Sequence, residues 1–454
     1  MARAVVIGLA RSGMACARAL SADGWEVLVV DAKDEPELRQ RAATLPPGVS
    51  VQLGGYADDV AVGADMVCPS PGVAWDAPEL ARARAAGVPV HSEIDLVFRR
   101  CPAPIAGITG TNGKTTTTAL TGAVIAAGGA RVHVGGNIGE PMLDRLHQVR
   151  DGDWVVLELS SFQIESAEDP RCRLAAVLNV TPDHLNRHGT FEQYAAAKRR
   201  LVEHADPAGA VVLGADDAVA AAMISAATAP VLMAGLDIGA RDGATVRDGS
   251  VVVVERGRVT PVIPVADIPL FGEHNVLNVL AAVAMGHAAG VAAPDMARAV
   301  REFRAVPHRL EPVLDGGGVL WVNDSKATNV DAAVKALRAF PDRSIVWIGG
   351  GETKGIGPEE LAREVSLRAR HAVLNGGTGE ELDAALQQLG YTSRTLVGTL
   401  AQAVRTAHEI ARPGDVVLLA PGYTSFDQFE NYEERGRIFA ELVREACGVA
   451  PGRV

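Results

Sequence analysis

One stretch constrains this chain more than any other: the apolar run Pro-Ile-Ala-Gly-Ile-Thr-Gly at 104–110, followed by Thr-Asn-Gly-Lys-Thr-Thr-Thr-Thr. The run reads as a buried strand that ends in a glycine loop and resumes as a helix on Lys114. A strand feeding a helix through so short a loop belongs to a parallel sheet with helices on its faces. Glycines let the main chain approach a phosphate, loop amides donate to its oxygens, Lys114 meets the β/γ charge, and the Thr115 hydroxyl suits Mg²⁺. The strict phosphate-loop pattern needs glycine at 108, where this chain has Ile108, so the match is to a shorter T-G-T-N-G-K-T-T form. Gly110, Thr111, Asn112, Gly113, Lys114, Thr115 and Thr116 are therefore the candidate ATP contacts. The bland alternative is a helix N-cap with an incidental lysine.

The same alternation recurs along all 454 residues. RAVVIG, EVLVVD, GADMVCPSPG and GVPVHSE read as strands of a first unit, residues 1–97, with helices between them. Its turn Gly8-Leu-Ala-Arg-Ser-Gly13, followed by Asp31 at the end of the second strand, is a weak dinucleotide-type fingerprint. Two prolines in FRRCPAPI break the periodicity and open a second unit, 98–304. That unit carries the phosphate loop and the strands DWVVLELSS and LAAVLNVTPDH. A Val/Gly/Asp-rich part at 230–265 reads as a small β insertion, and FGEHNVLNVLAAVAMGHAAG reads as the closing helix. A third doubly wound unit, 305–454, contains VLWVNDS, SIVWIGG, HAVLNGG, TLVG and GDVVLLAPG.

The net charge of −12 argues against a nucleic-acid scaffold, which needs a surface rich in Lys and Arg. One small anionic substrate in a locally positive cleft is not excluded. The five cysteines, Cys16, Cys68, Cys101, Cys172 and Cys447, are scattered without metal spacing and read as reduced thiols. Arg11 and Arg18 interrupt the apolar start, so AVVIG reads as a strand rather than a signal peptide. No eighteen apolar residues run together. A cytoplasmic, monomeric protein without a membrane span is the expectation.

Glu158 closes the strand VVLELSSFQ and His184 follows the strand in NVTPDH. In a parallel sheet both reach the carboxyl edge where the phosphate loop lies, and such a pair can share a divalent cation. Lys198, in the helix-like QYAAAKRR, reads from its neighbours alone as part of a solvated face. Asn275 and Asn278 lie three apart on one helix face and can turn to one ligand.

GTNGKTT, GGNIG, LELSSFQ, LNVTPDH, EHNVLN, PHRLE, NDSKATN and SFDQFENYEERG occur in the order found in Mur ligases, and the chain resembles that family over nearly its whole length. It lacks the D-N-P-R stretch of the diaminopimelate- or lysine-adding members, and GLARSG is not the GIGGIGM type of the alanine-adding one. The resemblance implies three α/β domains: a Rossmann-like N-terminal domain, a P-loop ATPase domain with a parallel sheet and a small β part, and a Rossmann-like C-terminal domain. It implies an ATP-dependent ligase that joins D-glutamate to UDP-N-acetylmuramoyl-L-alanine through an acyl phosphate.

By the same resemblance, Thr115 and Glu158 hold one Mg²⁺, His184 and a carbamylated Lys198 hold a second, and Lys114 is catalytic. Asn275 and Asn278 lie near the adenine, and Arg309 and Asp324 near the ribose and phosphates. Arg11, Ser12, Asp31, Lys33, Ser70, Pro71, Gly72 and Asn137 follow the UDP-sugar. Lys326, Thr328, Lys354, Ser425 and Tyr432 form the glutamate pocket. Departures occur at Ala32 and Lys33, where Thr and Arg are frequent, at Gly422-Tyr423-Thr424 in place of Ala-Cys-Ala, and at Tyr432 in place of Phe. Two alternatives stand: the same chemistry with L-glutamate or another acceptor, and a nucleotide-binding regulatory protein.

Overall fold

The computed structural model describes residues 1–449 except Lys354 and Ile356, and the side chain of Asn186 is also outside the description. Three sheets carry the chain. The first has four parallel strands in the order Ser50–Leu53, Glu26–Asp31, Arg3–Ile7, Met66–Pro69. Arg3–Ile7 is central and nearly sealed from solvent, as its unbroken apolar run demands. GVPVHSE does not add the strand expected of it. Val90 makes a single bridge to Val67, Pro89 offers no N–H for a ladder, and the Ser92 hydroxyl caps the helix Glu93–Arg100. Ser50–Leu53, a half-exposed edge strand, has too little apolar alternation to stand out in the sequence.

The second sheet has nine strands. The first six run Arg258–Pro264, Ser250–Glu255, Gly243–Arg247, Val231–Ala234, Ala210–Gly214 and Leu174–Val177. Ile105–Thr109, Trp154–Glu158 and Val132–Gly136 complete it. Pairing is parallel from Val132–Gly136 to Gly243–Arg247, and the two hairpins beyond are antiparallel. The β insertion is thus an extension of the central sheet rather than a separate body. The strand before the phosphate loop sits between Trp154–Glu158 and Leu174–Val177, with Ile108 opposite Glu158 and Thr109 opposite Val177. That register brings three strand ends to one edge.

By compactness, Met1–Ile268 and Leu277–Glu302 form one unit, and Pro269–Val276 joins the chain from Phe303 onward in another. Within the first unit an apolar core runs without a break from Val6, Leu20 and Val29 through Ile94 to Leu143, Leu157 and Val177. Arg18 grips Asp144 through two hydrogen bonds of 2.5 and 2.9 Å, and the buried Glu93 accepts from the Leu143 N–H at 3.0 Å. Burial pushes the Glu93 carboxyl up to about 7.

The second unit holds six strands: Glu311–Gly316, Val319–Asn323, Val416–Leu419, Ile345–Gly349, Ala369–Leu374 and Arg394–Leu396. Only the first pair is antiparallel. That partly exposed first strand, containing Pro312, ending on Gly316 and followed by two more glycines, was not foreseen.

Candidate active site

Gly113 turns the phosphate loop with φ +82°, and a Cβ there would lie 2.3 Å from Asn278 Oδ1, so the position takes glycine on both counts. The helix Lys114–Ala127 follows directly. The loop is pinned from the adjacent strand end. Asn179 Oδ1 accepts from the N–H groups of Thr111 (3.1 Å) and Asn112 (2.8 Å), and its Nδ2 donates to the Asn112 carbonyl at 3.1 Å. Thr111 Oγ1 donates to the Thr181 carbonyl (3.1 Å) and lies 3.1 Å from the Tyr194 hydroxyl. Lys114 Nζ folds back on the carbonyls of Gly110 (3.0 Å) and Thr111 (2.9 Å). Asn278, buried, accepts from Thr117 Oγ1 at 3.2 Å and so packs against this helix.

Glu158 is 3% exposed. Its Oε1 accepts from Asn137 Nδ2 at 2.9 Å, whereas Oε2 is buried with no hydrogen-bond partner. An unmet buried acceptor costs on the order of 1–3 kcal/mol, more when charged. A hard cation that prefers oxygen ligands fits this orphan atom. Asn137, read in sequence as a contact of the sugar-pyrophosphate, is thereby placed beside Glu158.

The solvated-face reading of Lys198 is wrong: it is 1% exposed. Its Nζ donates to Gly110 O at 2.9 Å and Thr109 Oγ1 at 3.3 Å and lies 4.7 Å from the Tyr194 ring centroid. Two lysine heads thus meet one carbonyl oxygen. Burial first, and then the Lys114 charge, bring Lys198 down to about 7, against the pull of Asp183 and Glu158. The helix Phe191–Glu203 that carries it is fixed by a capping box between Thr190 and Gln193.

His184 adopts φ +52°, ψ 29°, a left-handed conformation uncommon outside glycine, and its ring is about half exposed. Strain of this kind gathers where a side chain must be aimed. In the N-terminal domain, Asp31 Oδ2 accepts from Leu9 N–H (2.8 Å) and Oδ1 from Lys33 N–H (3.0 Å). Ser70 Oγ donates to the Gly8 carbonyl at 2.8 Å. A Cβ on Gly13 would meet that carbonyl at 1.9 Å, which explains the second glycine of the turn. Arg11 and Ser12 open the helix Arg11–Ala22, Lys33 pairs with Glu35 at 3.2 Å, and Pro71 and Gly72 follow in the loop after Met66–Pro69.

In the second unit, Asn275 Nδ2 donates to the Phe271 carbonyl at 2.8 Å. Asp324 accepts from Leu310 N–H at 3.2 Å; burial pushes its carboxyl up to about 7, against that hydrogen bond and the Arg309 charge. Lys326 Nζ stands 3.7 Å from the Tyr432 ring centroid. Ser425 is buried, and Thr328 N–H donates to the Lys326 carbonyl at 2.8 Å. Arg435 ties these loops together. It donates to Ser325 Oγ (3.0 Å) and to the carbonyls of Ser325 (2.9 Å), Thr424 (3.1 Å) and Tyr423 (3.2 Å). Lys354 lies outside the described residues.

Sequence reasoning missed Asn179, Asp183, Tyr194 and Arg435, although all four lie inside stretches already singled out. An asparagine two residues past a strand end, level with a glycine loop on the next strand, was the available signal for Asn179.

A three-sheet α/β chain with a lysine-bearing phosphate loop and an unmet carboxylate one strand away is a nucleotide-handling enzyme. Residues 2–92 match the model of the Mur ligase MurD-like N-terminal domain, 108–286 that of the Mur ligase middle domain, and 308–422 that of the Mur ligase glutamate ligase domain. The UDP-N-acetylmuramoylalanine–D-glutamate ligase of Koribacter versatilis is 42% identical over 444 residues, 98% of this chain and 97% of the relative. That of Acidobacterium capsulatum is 42% identical over 451 residues, 99% and 97%. Among solved structures, UDP-N-acetylmuramate–alanine ligase of Thermotoga maritima superposes with a TM-score of 0.62 at 20% identity, covering 98% of this chain and 100% of that one. The chain belongs to the Mur ligase family.

Proposed function

We propose that this enzyme is the ligase that adds D-glutamate to UDP-N-acetylmuramoyl-L-alanine, releasing ADP and phosphate, in cytoplasmic peptidoglycan precursor synthesis. Its full-length likeness to relatives so named supports the substrate pair. The observation that carries the chemistry is the convergence of Lys114, Lys198 and the unpartnered Glu158 oxygen at one sheet edge. Domains of 1–97, 98–304 and 305–454 divide the work among UDP-substrate, ATP and amino acid. Among the described residues no helix is long and apolar enough to cross a membrane.

A carboxylate is a poor electrophile with a poor leaving group. Attack of its oxygen on the γ-phosphorus breaks the bond to ADP and yields an acyl phosphate. The glutamate amine then attacks the acyl carbon, loses its proton, and expels phosphate as the amide forms. Two anions must first approach, so fixed positive charge supplies the main catalytic term. Lys114 provides it at the β/γ-phosphates, with the loop amides held in place by Asn179.

Mg²⁺, when bound, neutralises charge between phosphates and acceptor carboxylate. Thr115 and Glu158 are the residues that would hold one ion, and His184 with Lys198 the other. Among the described residues no three His, Cys, Asp or Glu side chains gather as a complete site. Mg²⁺ commonly completes its shell with waters and substrate phosphates. Lys198 would serve as an oxygen ligand once its amine had added CO₂ and lost a proton, and an amine brought down to about 7 is partly neutral at pH 7, as that step would need. Asp324, Arg309 and Asn275 serve the nucleotide, and Lys326, Thr328, Lys354, Ser425 and Tyr432 the glutamate.

The test is phosphate release with UDP-N-acetylmuramoyl-L-alanine, ATP and each glutamate enantiomer. Release with the D form alone is the expected result. Release with L-glutamate alone would replace the amino acid, and no release with either would leave a regulatory nucleotide binder.

A further inference from the structure

Within the first unit, a single run of side chains joins the loop after Met66–Pro69 to the phosphate loop. Arg187 donates from Nη1 to the Pro71 carbonyl and from Nη2 to the Val73 carbonyl, both at 3.1 Å. Its guanidinium lies 4.5 Å over the Phe162 ring. Phe162 stacks on His188, with centroids 5.0 Å apart and planes at 5°, and meets His184 edge-on at 5.1 Å. His188 Nε2 is 2.9 Å from Ser161 Oγ, and its ring sits 5.3 Å from Tyr194. Tyr194 in turn touches Thr111 with its hydroxyl and Lys198 with its face.

His188 and Tyr194 are both buried. Burial holds the His188 imidazole below its ordinary pKa, opposed by Glu165 and assisted by the charges of His184, Lys198 and Arg187. Its neutral ring can therefore stack without burying a charge. Arginine suits the far end for a geometric reason. Its planar fork reaches two carbonyls of one loop while its face covers an aromatic ring, and a lysine ammonium cannot do both.

We propose that Arg187 is a positioning residue that couples UDP-acceptor binding at loop 70–73 to nucleotide seating at loop 110–114, through Phe162, His188 and Tyr194. The inference rests on the ligase reading above. An acceptor that orders loop 70–73 fixes the two carbonyls Arg187 holds, and thereby the platform that orients His184 and braces Thr111. Such coupling is a free energy shared by both sites and is measurable from either.

The experiment is equilibrium binding of a fluorescent, non-hydrolysable ATP analogue with Mg²⁺, with and without saturating UDP-N-acetylmuramoyl-L-alanine. It is run on wild type, Arg187→Ala, Arg187→Lys and Phe162→Leu, each checked by thermal melting. Wild type should show at least about fivefold tightening by the acceptor. All three variants should fall below about twofold, with nucleotide affinity in the absence of acceptor unchanged within about twofold. If Arg187→Ala does not fold, Arg187→Lys and Phe162→Leu carry the test. Variants that keep the wild-type coupling, or a wild type that turns over without coupling, overturn the inference alone. A wild type that neither binds the acceptor nor releases phosphate overturns the ligase reading, and this inference with it.

Discussion

Two of the chain's strand–glycine turn–helix units, at 3–22 and at 105–127, are pinned by different side chains. In the first, a carboxylate from the next strand, Asp31, accepts the loop amide of Leu9. In the second, a neutral amide, Asn179, takes the loop amides of Thr111 and Asn112. The first turn receives one guanidinium, Arg41 Nη1 reaching the Leu9 carbonyl at 3.4 Å, whereas the second brings two lysine heads to the Gly110 carbonyl. The backbone plan is shared, and the side chain that pins each loop decides how much negative charge it can receive. A triphosphate could not settle beside a carboxylate in the place of Asn179 without a repulsion of several kcal/mol.

Removing the charge that distinguishes the second turn should have the largest effect. Lys114→Ala is expected to lower kcat about 1,000-fold, the scale seen when a preorganised charge stabiliser is lost. A kcat within tenfold of wild type in a steady-state phosphate-release assay would place the catalytic charge elsewhere. Next, Lys198→Ala should lose about 100-fold in activity and regain part of it with short-chain carboxylic acids, which replace the missing oxygen ligand. Full activity without rescue removes Lys198 from the chemistry.

The comparison itself is sharpened by exchanging the pins. Asn179→Asp should raise the KM for ATP about 100-fold and Asn179→Ala about tenfold, since only the first adds repulsion to a lost brace. Asp31→Asn should leave it within about threefold, and equal effects of Asn179→Asp and Asp31→Asn would erase the distinction.

The smallest effect concerns the second unit. Asp324 is raised from its unfolded value to about 7, so the folded protein holds its proton more tightly than the unfolded chain. Its contribution is full below about pH 4 and is lost as pH rises to about 7. The stability difference between wild type and Asp324→Asn should therefore shift against wild type across that window, by on the order of 2 kcal/mol, and stay flat above it. Parallel urea-unfolding curves at pH 4 and 7 would refute the shift.

The sequence showed the parallel strands around the phosphate loop clearly, because strands buried on both faces are unbroken apolar runs. It did not show Ser50–Leu53 or Glu311–Gly316, edge strands whose exposure removes that signal. Lys114 and Glu158 were legible because loop and strand-end positions fix their direction. Lys198 was not, since a helix of Ala, Lys and Arg looks solvated until tertiary packing buries one face. Tyr194 and Asn179 escaped for a related reason: their partners, the Thr111 hydroxyl and the loop amides, lie some seventy to eighty residues away, and no local pattern reports them.

The most direct measurement is a crystal structure of the enzyme with a non-hydrolysable ATP analogue and Mn²⁺, whose anomalous signal locates the ion. The account predicts the triphosphate along residues 110–115 with an ion on the orphan oxygen of Glu158. A triphosphate bound away from that loop, or an ion that leaves Glu158 untouched, would contradict it.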